Sequence, residues 1–424
     1  MSGWAVAVLV LVLGALGAPV FALLAGLTLW LFAGAGIDAS SAAIAMVRVA
    51  SLPALIAIPL FTFAGFLLAE SKAPKRLLAL AEALLGWMPG GLAVVGLMSC
   101  AVFTAFTGAS GVTIIALGGL LYPMMLKQGY PERFTLGLLS CTGSLGLLFP
   151  PSLPIILYGL VAQVSIDKLF LAGALPGLLL LGLLGVYAAW EGRRAAVPKT
   201  AFSGAAVLAA ARAAAWEIPL PFVVVGGIYG GKFTATDAAA VMAFYVFVVE
   251  VLVYRDIAWK DLPRIVREST VLVGSILIVL GCALGLTDYM IDAEVPERLF
   301  EWLSRFVSSK WVFLGVLNAL LLVINMVEIF SAIVIVVPII IPIAAQYGID
   351  PVHLGVIFLL NLEIGYMTPP LGLNLFLANR RFGRPLGELY RASAPFWLAH
   401  VAMLALVTYW PPLSLALLQW RSPG

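Results

Sequence analysis

Long apolar runs separated by short polar breaks recur along the chain from Trp4 to Trp410. A helix needs about 20 mostly apolar residues to cross the hydrocarbon core of a bilayer. Apolar and polar residues alternate too weakly in these runs for the strands of a membrane barrel. Because backbone polar groups must be paired inside lipid, we predict membrane-spanning helices. The predicted spans lie near residues 4–33, 49–70, 132–163, 169–190, 216–231, 234–254, 268–288, 351–379 and 392–418.

Two further apolar segments are too long for one ordinary span. Residues 90–126 and 311–346 each hold about 36 residues that are interrupted in the middle by small or polar side chains. We predict that each segment folds as a re-entrant helical hairpin. The pattern therefore predicts an all-α polytopic membrane protein with nine crossings and two hairpins.

Composition excludes several function classes. Of the 424 residues, 63% are hydrophobic and 11% are charged, against roughly 25% charged in a soluble domain. A net charge of +3 gives no basic field for nucleic acid, so no nucleic-acid partner is expected. The two histidines and three cysteines form no cluster with metal-ligand spacing. No nucleophile elbow, Walker loop or HExxH motif occurs, and we predict that the chain is not an enzyme.

Lysine and arginine are distributed unevenly over the predicted loops, seventeen on one side and seven on the other. Cytoplasmic loops are enriched in these residues. We therefore predict a cytoplasmic N-terminus and a C-terminus on the outer side, with the first hairpin entering from the cytoplasm and the second from outside. The basic segment 191–215 is expected to lie on the inner leaflet.

An offset of 219 residues superimposes five backbone-shaping residues of the first half on the second. The pairs are Pro123 and Pro342, Gly129 and Gly348, Gly146 and Gly365, Pro150 and Pro369, and Pro151 and Pro370. A shift of 222 also places PKRLL, which begins at Pro74, on PERLF, which begins at Pro296. The charge count puts these two segments on opposite sides, which predicts an inverted-topology repeat.

The repeat predicts five regions along the chain. They are N-terminal scaffold helices at 1–70, a first repeat at 71–190, a basic segment with central scaffold helices at 191–268, a second repeat at 269–391 and a C-terminal helix at 392–424. In each repeat an amphipathic connector precedes a hairpin and then a helix interrupted by Pro-Pro, at 132–163 and at 351–379.

The Pro-Pro pairs predict the functional centre. Proline lacks an amide donor and disfavours helix in the residue before it, so each span should unwind there. Broken helices that meet near the membrane midplane mark the substrate and ion sites of secondary transporters, and their freed carbonyl oxygens suit a cation such as Na⁺. The alternative in the first half is a helix kink packed by small residues.

Acidic side chains lie in the second half. Glu328 stands at the hairpin tip with Asn325, and Glu363 precedes the second break. An ionisable residue at such depth is a functional candidate. Glu363 has the alternative of pairing with a backbone amide and holding the break, and either acid has the alternative of carrying H⁺ in place of Na⁺.

The half-helices that follow the two breaks should direct their positive ends toward the centre, which favours an anion there. Ser152, Thr368 and Asn374 lie near those ends and have hydrogen-bond donors for a carboxylate, although Ser152 and Thr368 are equally suited to helix N-capping. Arg48 at the edge of a span is interpreted as an interfacial anchor, with compensation of an acidic substrate as the alternative. The TATD segment at Thr234 matches a capping box.

The chain resembles a known family. The segments TGASGVT, KQGY, GSLGLLFPPSLPIILYG and VSIDKLFLAGALPGLLL, from Thr107 to Leu180, are similar to the large membrane subunit of tripartite ATP-independent periplasmic (TRAP) transporters. The second-half block GIDPVHLGVIFLLNLEIGYMTPPLGLNLF and the PLFTFAG segment at Pro59 resemble the same family. The likeness covers nearly the whole chain.

The resemblance implies Na⁺-coupled uptake of an organic acid by an elevator-like motion, across the inner membrane of a bacterium. It implies two partners besides the lipid bilayer, a separate small four-helix membrane subunit and a periplasmic substrate-binding protein, and two or more Na⁺ ions with no organic cofactor. Candidate sodium-site residues are Gly108, Ser110, Gly143, Gly146, Phe149 and Pro150 in the first half and Asn325, Glu328, Gly365, Thr368 and Pro369 in the second. Candidate substrate-binding residues are Ala109, Ser152, Glu363 and Asn374.

The sequence departs from the family at both tips. The family usually has two adjacent serines where Ala109 and Ser110 stand, and often aspartate where Glu328 stands. Two other functions remain open on the residues alone. One is a stand-alone Na⁺- or H⁺-coupled dicarboxylate symporter that needs no binding protein, and the other is an intramembrane hydrolase that uses Glu328 and Glu363.

Overall fold

A computed structural model of the chain describes residues 3–108, 110–199, 201–324 and 329–421. Within these ranges the regular structure is helical, and no strand occurs. The helices of the first half are α1 Gly3–Ala15, α2 Val20–Ala35, α3 Ser40–Ala50, α4 Pro53–Glu70, α5 Ala73–Leu85, α6 Gly91–Thr107, α7 Ser110–Lys127, α8 Glu132–Cys141, α9 Leu153–Val161 and α10 Ile166–Arg194.

The remaining helices continue in the same order. They are α11 Gly204–Ala213, α12 Pro219–Tyr229, α13 Ala235–Val253, α14 Leu262–Asp292, α15 Val295–Ser304, α16 Lys310–Ile324, α17 Ile329–Gln346, α18 Pro351–Tyr366, α19 Leu373–Phe382, α20 Leu386–Tyr409 and α21 Pro412–Arg421. Seven helices of the described residues are long and apolar enough to cross a membrane, or eight if the bent pair around residues 149–152 counts as one span.

Three predicted spans are wrong as single crossing helices. The run 4–33 forms two helices, α1 and α2, because Gly17 has a left-handed backbone with φ of 88° and Pro19 cannot donate an amide hydrogen bond. The run 392–418 likewise divides into α20 and α21 before Pro411. The run 216–231 contains only the 11-residue helix α12, about half the length that a crossing needs.

The same order of helices occurs in both halves of the described chain. An amphipathic helix, a helix pair, a broken helix and a long helix follow one another as α5 to α10 and again as α15 to α20. Gly129 and Gly348 both have a left-handed backbone just after the helix pair. Pro176 and Pro395, which share the 219-residue offset, both lie inside the long helix of their repeat.

Both predicted breaks are confirmed. Helix α8 ends at Cys141 and α9 begins at Leu153, with a 3-10 turn over Leu145–Leu148 between them and a bend of 44°. Helix α18 ends at Tyr366 and α19 begins at Leu373. Each break contains its Pro-Pro pair, at which helical hydrogen bonding cannot continue.

The helices pack in an outer and an inner group. Helix α4 packs along α13, and α2 and α3 pack along α14, which together form the outer group. The inner group holds the helix pairs, the broken helices and the long helices α10 and α20, and there α9 of the first repeat packs on α17 of the second. The capping box at Thr234 is confirmed, since the Thr234 hydroxyl accepts the Asp237 amide and the Asp237 carboxylate accepts the Thr234 amide at the start of α13.

Candidate functional site

The tip of the first helix pair lies between the starts of both half-helices. Gly108 ends α6 with φ of 65°, and a Cβ added there would lie 2.5 Å from Leu153 at the start of α9. A Cβ at Gly111 would lie 2.6 Å from Leu377 of α19. The tip residues must therefore be small, because both half-helices contact them. The positive ends of α9 and α19 converge on this turn, as an anion site requires.

One hydrogen bond joins the two repeats at this tip. The Ser110 hydroxyl donates to the Asn374 side-chain oxygen over 2.9 Å, and both residues are buried. The Asn374 amide nitrogen has no hydrogen-bond partner within the described part of the chain. An unpaired buried donor at a helix N-terminus suits a carboxylate ligand. Ser110 was predicted at a sodium site and Asn374 at the substrate site, whereas the structure places them together.

The first break is packed directly on α6. A Cβ at Gly146 would lie 2.4 Å from the Ala105 amide nitrogen and 2.5 Å from the Ala101 carbonyl oxygen. Only glycine fits such an approach between two backbones. The Gly143 carbonyl accepts a hydrogen bond of 3.0 Å from the Thr104 hydroxyl, and keeps a second lone pair.

A threonine pair supports this contact. The hydroxyl oxygens of Thr104 and Thr113 are 2.6 Å apart, and since the Thr104 proton goes to Gly143, Thr113 is the donor between them. Sequence reasoning did not single out either threonine. The feature of the sequence that could have identified Thr104 is its position, as a polar residue one turn before the tip of a mostly apolar hairpin. The buried Thr107 hydroxyl has no partner in the described ranges.

The other predicted residues of the first break are oriented by local bonds. The Gly146 carbonyl accepts the Phe149 amide over 3.1 Å, and the Phe149 carbonyl accepts the Ser152 amide over 3.1 Å. Pro150 is buried. Ser152 occupies the N-cap position of α9, but its side chain makes no capping bond and its buried hydroxyl has no partner within the described residues. The N-capping interpretation of Ser152 is therefore wrong.

The second break is more open. Pro369, Pro370 and Leu371 are exposed, whereas residues 142–153 of the first break are buried except for half-buried Phe149. The Gly365 carbonyl accepts the Thr368 amide over 3.2 Å within the turn.

Thr368 is held by its own helix and by α20. Its hydroxyl donates to the Ile364 carbonyl over 2.7 Å and accepts from the Trp397 indole over 3.0 Å. The N-cap position of α19 belongs to Gly372 instead. N-capping by Thr368 is therefore also wrong.

Glu363 is the one acid of the predicted set that the structure describes. Its side chain is fully buried in α18, and neither carboxylate oxygen has a hydrogen-bond partner in the described ranges. The alternative that Glu363 pairs with a neighbouring backbone amide is not supported by these contacts. Ala109, Asn325 and Glu328 lie outside the described residues.

A cavity of about 710 Å³ adjoins this centre. Its wall includes Gly108, Ser110 and Gly111 of the first tip, and Tyr366 and Leu373 on either side of the second break. The start of α17 and residues of α2, α4 and α14 complete it, so the cavity lies between helices of the inner and outer groups. No charged side chain occurs among its described lining residues.

Arg48 lies away from this cavity. One of its guanidinium nitrogens contacts both Asp288 carboxylate oxygens at 2.8 Å on an exposed surface, in keeping with an anchor.

Comparison with known proteins decides the family. Residues 6–413 match the family of the tripartite ATP-independent periplasmic transporter, DctM component. The chain belongs to this family. This TRAP membrane component is therefore one part of a tripartite transport system that does not use ATP, and its relatives are transporter permeases rather than enzymes.

Similar proteins extend over most of the chain. The C4-dicarboxylate TRAP transporter large permease protein DctM of Pseudomonas aeruginosa is 38% identical, with 86% of each chain covered. The ectoine/5-hydroxyectoine TRAP transporter large permease protein UehC of Ruegeria pomeroyi is 33% identical, over 86% of this chain and 85% of its own. The isethionate TRAP transporter permease protein DctMQ of Oleidesulfovibrio alaskensis is 34% identical over 87% of this chain and 59% of its own.

A solved structure supports the fold of this TRAP component. The YdaH transporter of Alcanivorax borkumensis, whose topology is described as unusual, aligns with a TM-score of 0.63 at 16% identity. The alignment covers 85% of this chain and 86% of the YdaH chain. At that identity the likeness shows a shared fold and carries no information about substrate.

Proposed function

We propose that this chain is the transport subunit for Na⁺-coupled uptake of an organic acid across the bacterial inner membrane. The observation that carries the proposal is the Ser110–Asn374 hydrogen bond, which joins the first tip to the second half-helix beside the cavity. In this proposal a periplasmic binding protein delivers the acid, and a separate small four-helix subunit completes the membrane complex.

The anion would lie against neutral donors and helix ends. The unpaired Asn374 amide and the unpaired Ser152 hydroxyl are buried near the starts of α19 and α9. Helix N-termini attract a carboxylate without a paired cationic side chain, which agrees with a described cavity lining that has no arginine or lysine. The names of the relatives favour C4-dicarboxylates, isethionate or ectoine as first compounds to test.

The first half has an oxygen-rich environment that fits Na⁺. The Gly143 carbonyl retains a lone pair, and Ser110, Thr104 and Thr113 place hydroxyl oxygens on the same tip and helix pair. Hard cations prefer such ligands over nitrogen or sulfur. In the second half the fitting group is the Glu363 carboxylate, whereas the Thr368 hydroxyl is already engaged with Ile364 and Trp397.

The division into inner and outer helices supports an elevator-like motion. The cavity lies between the two groups, and the first tip belongs to the inner one. In our proposal the two hairpins are re-entrant and move with the broken helices against α2, α4, α13 and α14. The lysine and arginine bias supports a cytoplasmic N-terminus and a periplasmic C-terminus.

An omission experiment tests the proposal. Proteoliposomes should contain the large and small subunits, with the binding protein outside, and uptake is measured for labelled succinate, isethionate and ectoine. We expect uptake only when all three proteins and a Na⁺ gradient are present. Uptake by this chain alone would favour the stand-alone symporter, and Na⁺-independent uptake would contradict the coupling.

Substitution of Ser110 tests the site. Ser110→Ala leaves the Asn374 oxygen without its donor, and removing one partner of a buried hydrogen bond costs about 1–3 kcal/mol. We expect a rise of about tenfold in the half-saturating Na⁺ concentration. Ser99→Ala is the matched control, because the Ser99 hydroxyl is buried in α6 without a partner in the described ranges. Equal Na⁺ titration curves for both variants would refute the placement.

Proton coupling is the second candidate, and the unpaired Glu363 carboxylate favours it. Glu363→Gln keeps the shape of the side chain and removes its titration. If H⁺ is the coupling ion, this variant should lose uptake driven by a pH gradient, while Ser110→Ala retains it. If Na⁺ is the coupling ion, a pH gradient alone should drive no uptake in the unsubstituted protein.

A further inference from the structure

An ionic cluster, buried except for Lys72 at its edge, connects the first amphipathic helix to the end of the outer helix α13. We call Lys72, Arg76, Glu217, Glu250 and Asp256 the anchor cluster. Arg76 lies in the first turn of α5, and its side chain is 14% exposed. Its guanidinium contacts Glu217, lies 2.5 Å from an Asp256 oxygen and lies 2.9 Å from a Glu250 oxygen.

The remaining contacts close the cluster around Arg76. The Tyr254 ring lies against the guanidinium, 3.9 Å from its carbon to the ring centroid, and the Tyr254 hydroxyl donates to the Ala213 carbonyl over 2.7 Å. Lys72 lies 3.2 Å from Asp256 through its ammonium group, and its backbone amide donates to Asp256 over 3.1 Å. Every nitrogen of the guanidinium therefore has an acidic partner, and one face is covered by an aromatic ring.

The acids of the cluster lie outside α5, one at the end of α13, one just after it and one between α11 and α12. Glu250 lies in the π-helical end of α13, over Val248–Val253, and Asp256 follows that end. Glu217 lies between α11 and α12. Burial opposes ionisation of Asp256, but hydrogen bonds from Arg76 and Lys72 outweigh it, so the pKa of that carboxyl lies below its ordinary value.

The opposite end of α5 is held by the inner helices. In the turn between α5 and α6, a Cβ at Gly90 would lie 2.5 Å from the Ala188 carbonyl oxygen of α10. A Cβ at Gly192 of α10 would lie 2.3 Å from the Gly90 Cα atom. Helix α5 thus contacts both groups. Its first turn forms ion pairs at the end of the outer helix α13, and the turn after its last residue packs against the backbone of the inner helix α10.

The equivalent helix of the second repeat has no comparable ion pairs within the described residues. In α15, the residue equivalent to Arg76 is Arg298 of the PERLF segment. Arg298 is exposed and forms no ion pair within the described part of the chain. The two connectors therefore differ, although the 222-residue offset superimposes their sequences.

We propose that Arg76 is a positioning residue for transport, which fixes the first turn of α5 to the end of α13 as a pivot for the inner helices. This inference rests on the proposed elevator-like function. None of the five cluster residues lines the cavity, so Arg76 acts on movement and not on ligand contact. Movement at the second connector then has to be absorbed by α15, which forms no ion pair with the residues that the structure describes.

The first test is transport by Arg76→Lys in the three-protein assay, with the acid that the unsubstituted complex takes up. Lysine keeps the charge but has neither the forked donor geometry nor the stacking face of arginine. We expect a maximum rate lower by about tenfold, with unchanged half-saturating concentrations of Na⁺ and acid. Lys75→Ala, at an exposed neighbour on α5, is the matched control, and Arg298→Ala should also transport normally.

A milder variant distinguishes an effect on transport from a failure to fold. Glu217→Gln weakens one of three acidic contacts and leaves Arg76 paired with Glu250 and Asp256. We expect a smaller loss of maximum rate, by about threefold, in monodisperse protein. Normal rates for both Arg76→Lys and Glu217→Gln, or an equal loss in Arg298→Ala, would overturn the inference. Failure of both cluster variants to fold would also overturn it, because the cluster would then be a folding element.

A second readout does not depend on Na⁺ coupling. Ser275 lies in the cavity wall on α14, and maleimide labelling of Ser275→Cys can be followed after Cys100, Cys141 and Cys282 are replaced. We expect Arg76→Lys to change the labelling rate and Lys75→Ala to leave it unchanged. If the unsubstituted protein transports without Na⁺, the proposed Na⁺ coupling is wrong. The labelling rates of the two variants still test whether Arg76 controls the movement of the inner helices.

Discussion

The two Pro-Pro breaks share a sequence pattern but differ in their surroundings. The first break is buried, and glycine contacts bring its backbone against α7 at Gly143 and against α6 at Gly146. The second break exposes Pro369 and Pro370 and is supported from one side, where Trp397 and Tyr390 of α20 bond to Thr368 and the Pro370 carbonyl. Because burial and backbone contact restrict movement, we expect the first break to be more rigid than the second.

The strongest test of this difference is Gly146→Ala. The added methyl group would lie within 2.6 Å of backbone atoms of α6, and backbone cannot rotate away as a side chain can. We expect a loss of about 1–3 kcal/mol in stability and loss of Na⁺-dependent uptake. Thermal unfolding in detergent and the uptake assay measure the two effects.

Gly182→Ala is the control for that substitution. A Cβ at Gly182 in α10 meets nothing within 4 Å, and alanine favours helix over glycine. Unaltered or raised stability is expected. If Gly146→Ala behaves like Gly182→Ala, the first break is not tightly packed and the comparison fails.

Thr104→Val tests the polar contact that holds the first break. Valine keeps the volume but leaves the buried Gly143 carbonyl without its donor, and an unpaired buried acceptor costs about 1–3 kcal/mol. We expect weaker Na⁺ binding, measured as a higher half-saturating concentration. Thr62→Val is the control, since the Thr62 hydroxyl is buried in α4 without a partner in the described residues. Identical Na⁺ affinities in the two variants would show that the Thr104 bond is dispensable.

Trp397→Phe is the corresponding change at the second break and should have the smallest effect. It removes the indole donor to Thr368, whose half-buried hydroxyl can turn to water. The cost is expected to be at most about 0.5–1.5 kcal/mol, with a change of a few-fold in half-saturating acid concentration. An effect as large as that of Thr104→Val would mean that both breaks are equally rigid.

Much of the fold was predictable because its signals are local. Apolar run length predicts a helix in lipid, and Pro-Pro interrupts a helix wherever it stands, so both breaks and the TATD capping box were found at their correct positions. The errors at 4–33 and 392–418 have local causes as well. The mean hydropathy of a segment is insensitive to single residues such as Gly17, Pro19 and Pro411. These residues end helices without interrupting the apolar run.

The site was predictable in part. Ser110 and Asn374 were both expected near the centre, but their contact joins residues 264 positions apart and depends on how α7 meets α19. Thr104 was missed because a threonine within an apolar helix has no distinguishing pattern until its neighbour is known.

The sequence by itself determined the helical membrane class, the two repeats, the positions of the breaks and the family. Only the tertiary structure decided that the first break is buried and the second exposed, and that Arg76 is enclosed by acids while Arg298 is not. The physical reason is that backbone breaks follow from the covalent chemistry of proline and glycine, whereas burial and charge pairing depend on which distant helices become neighbours.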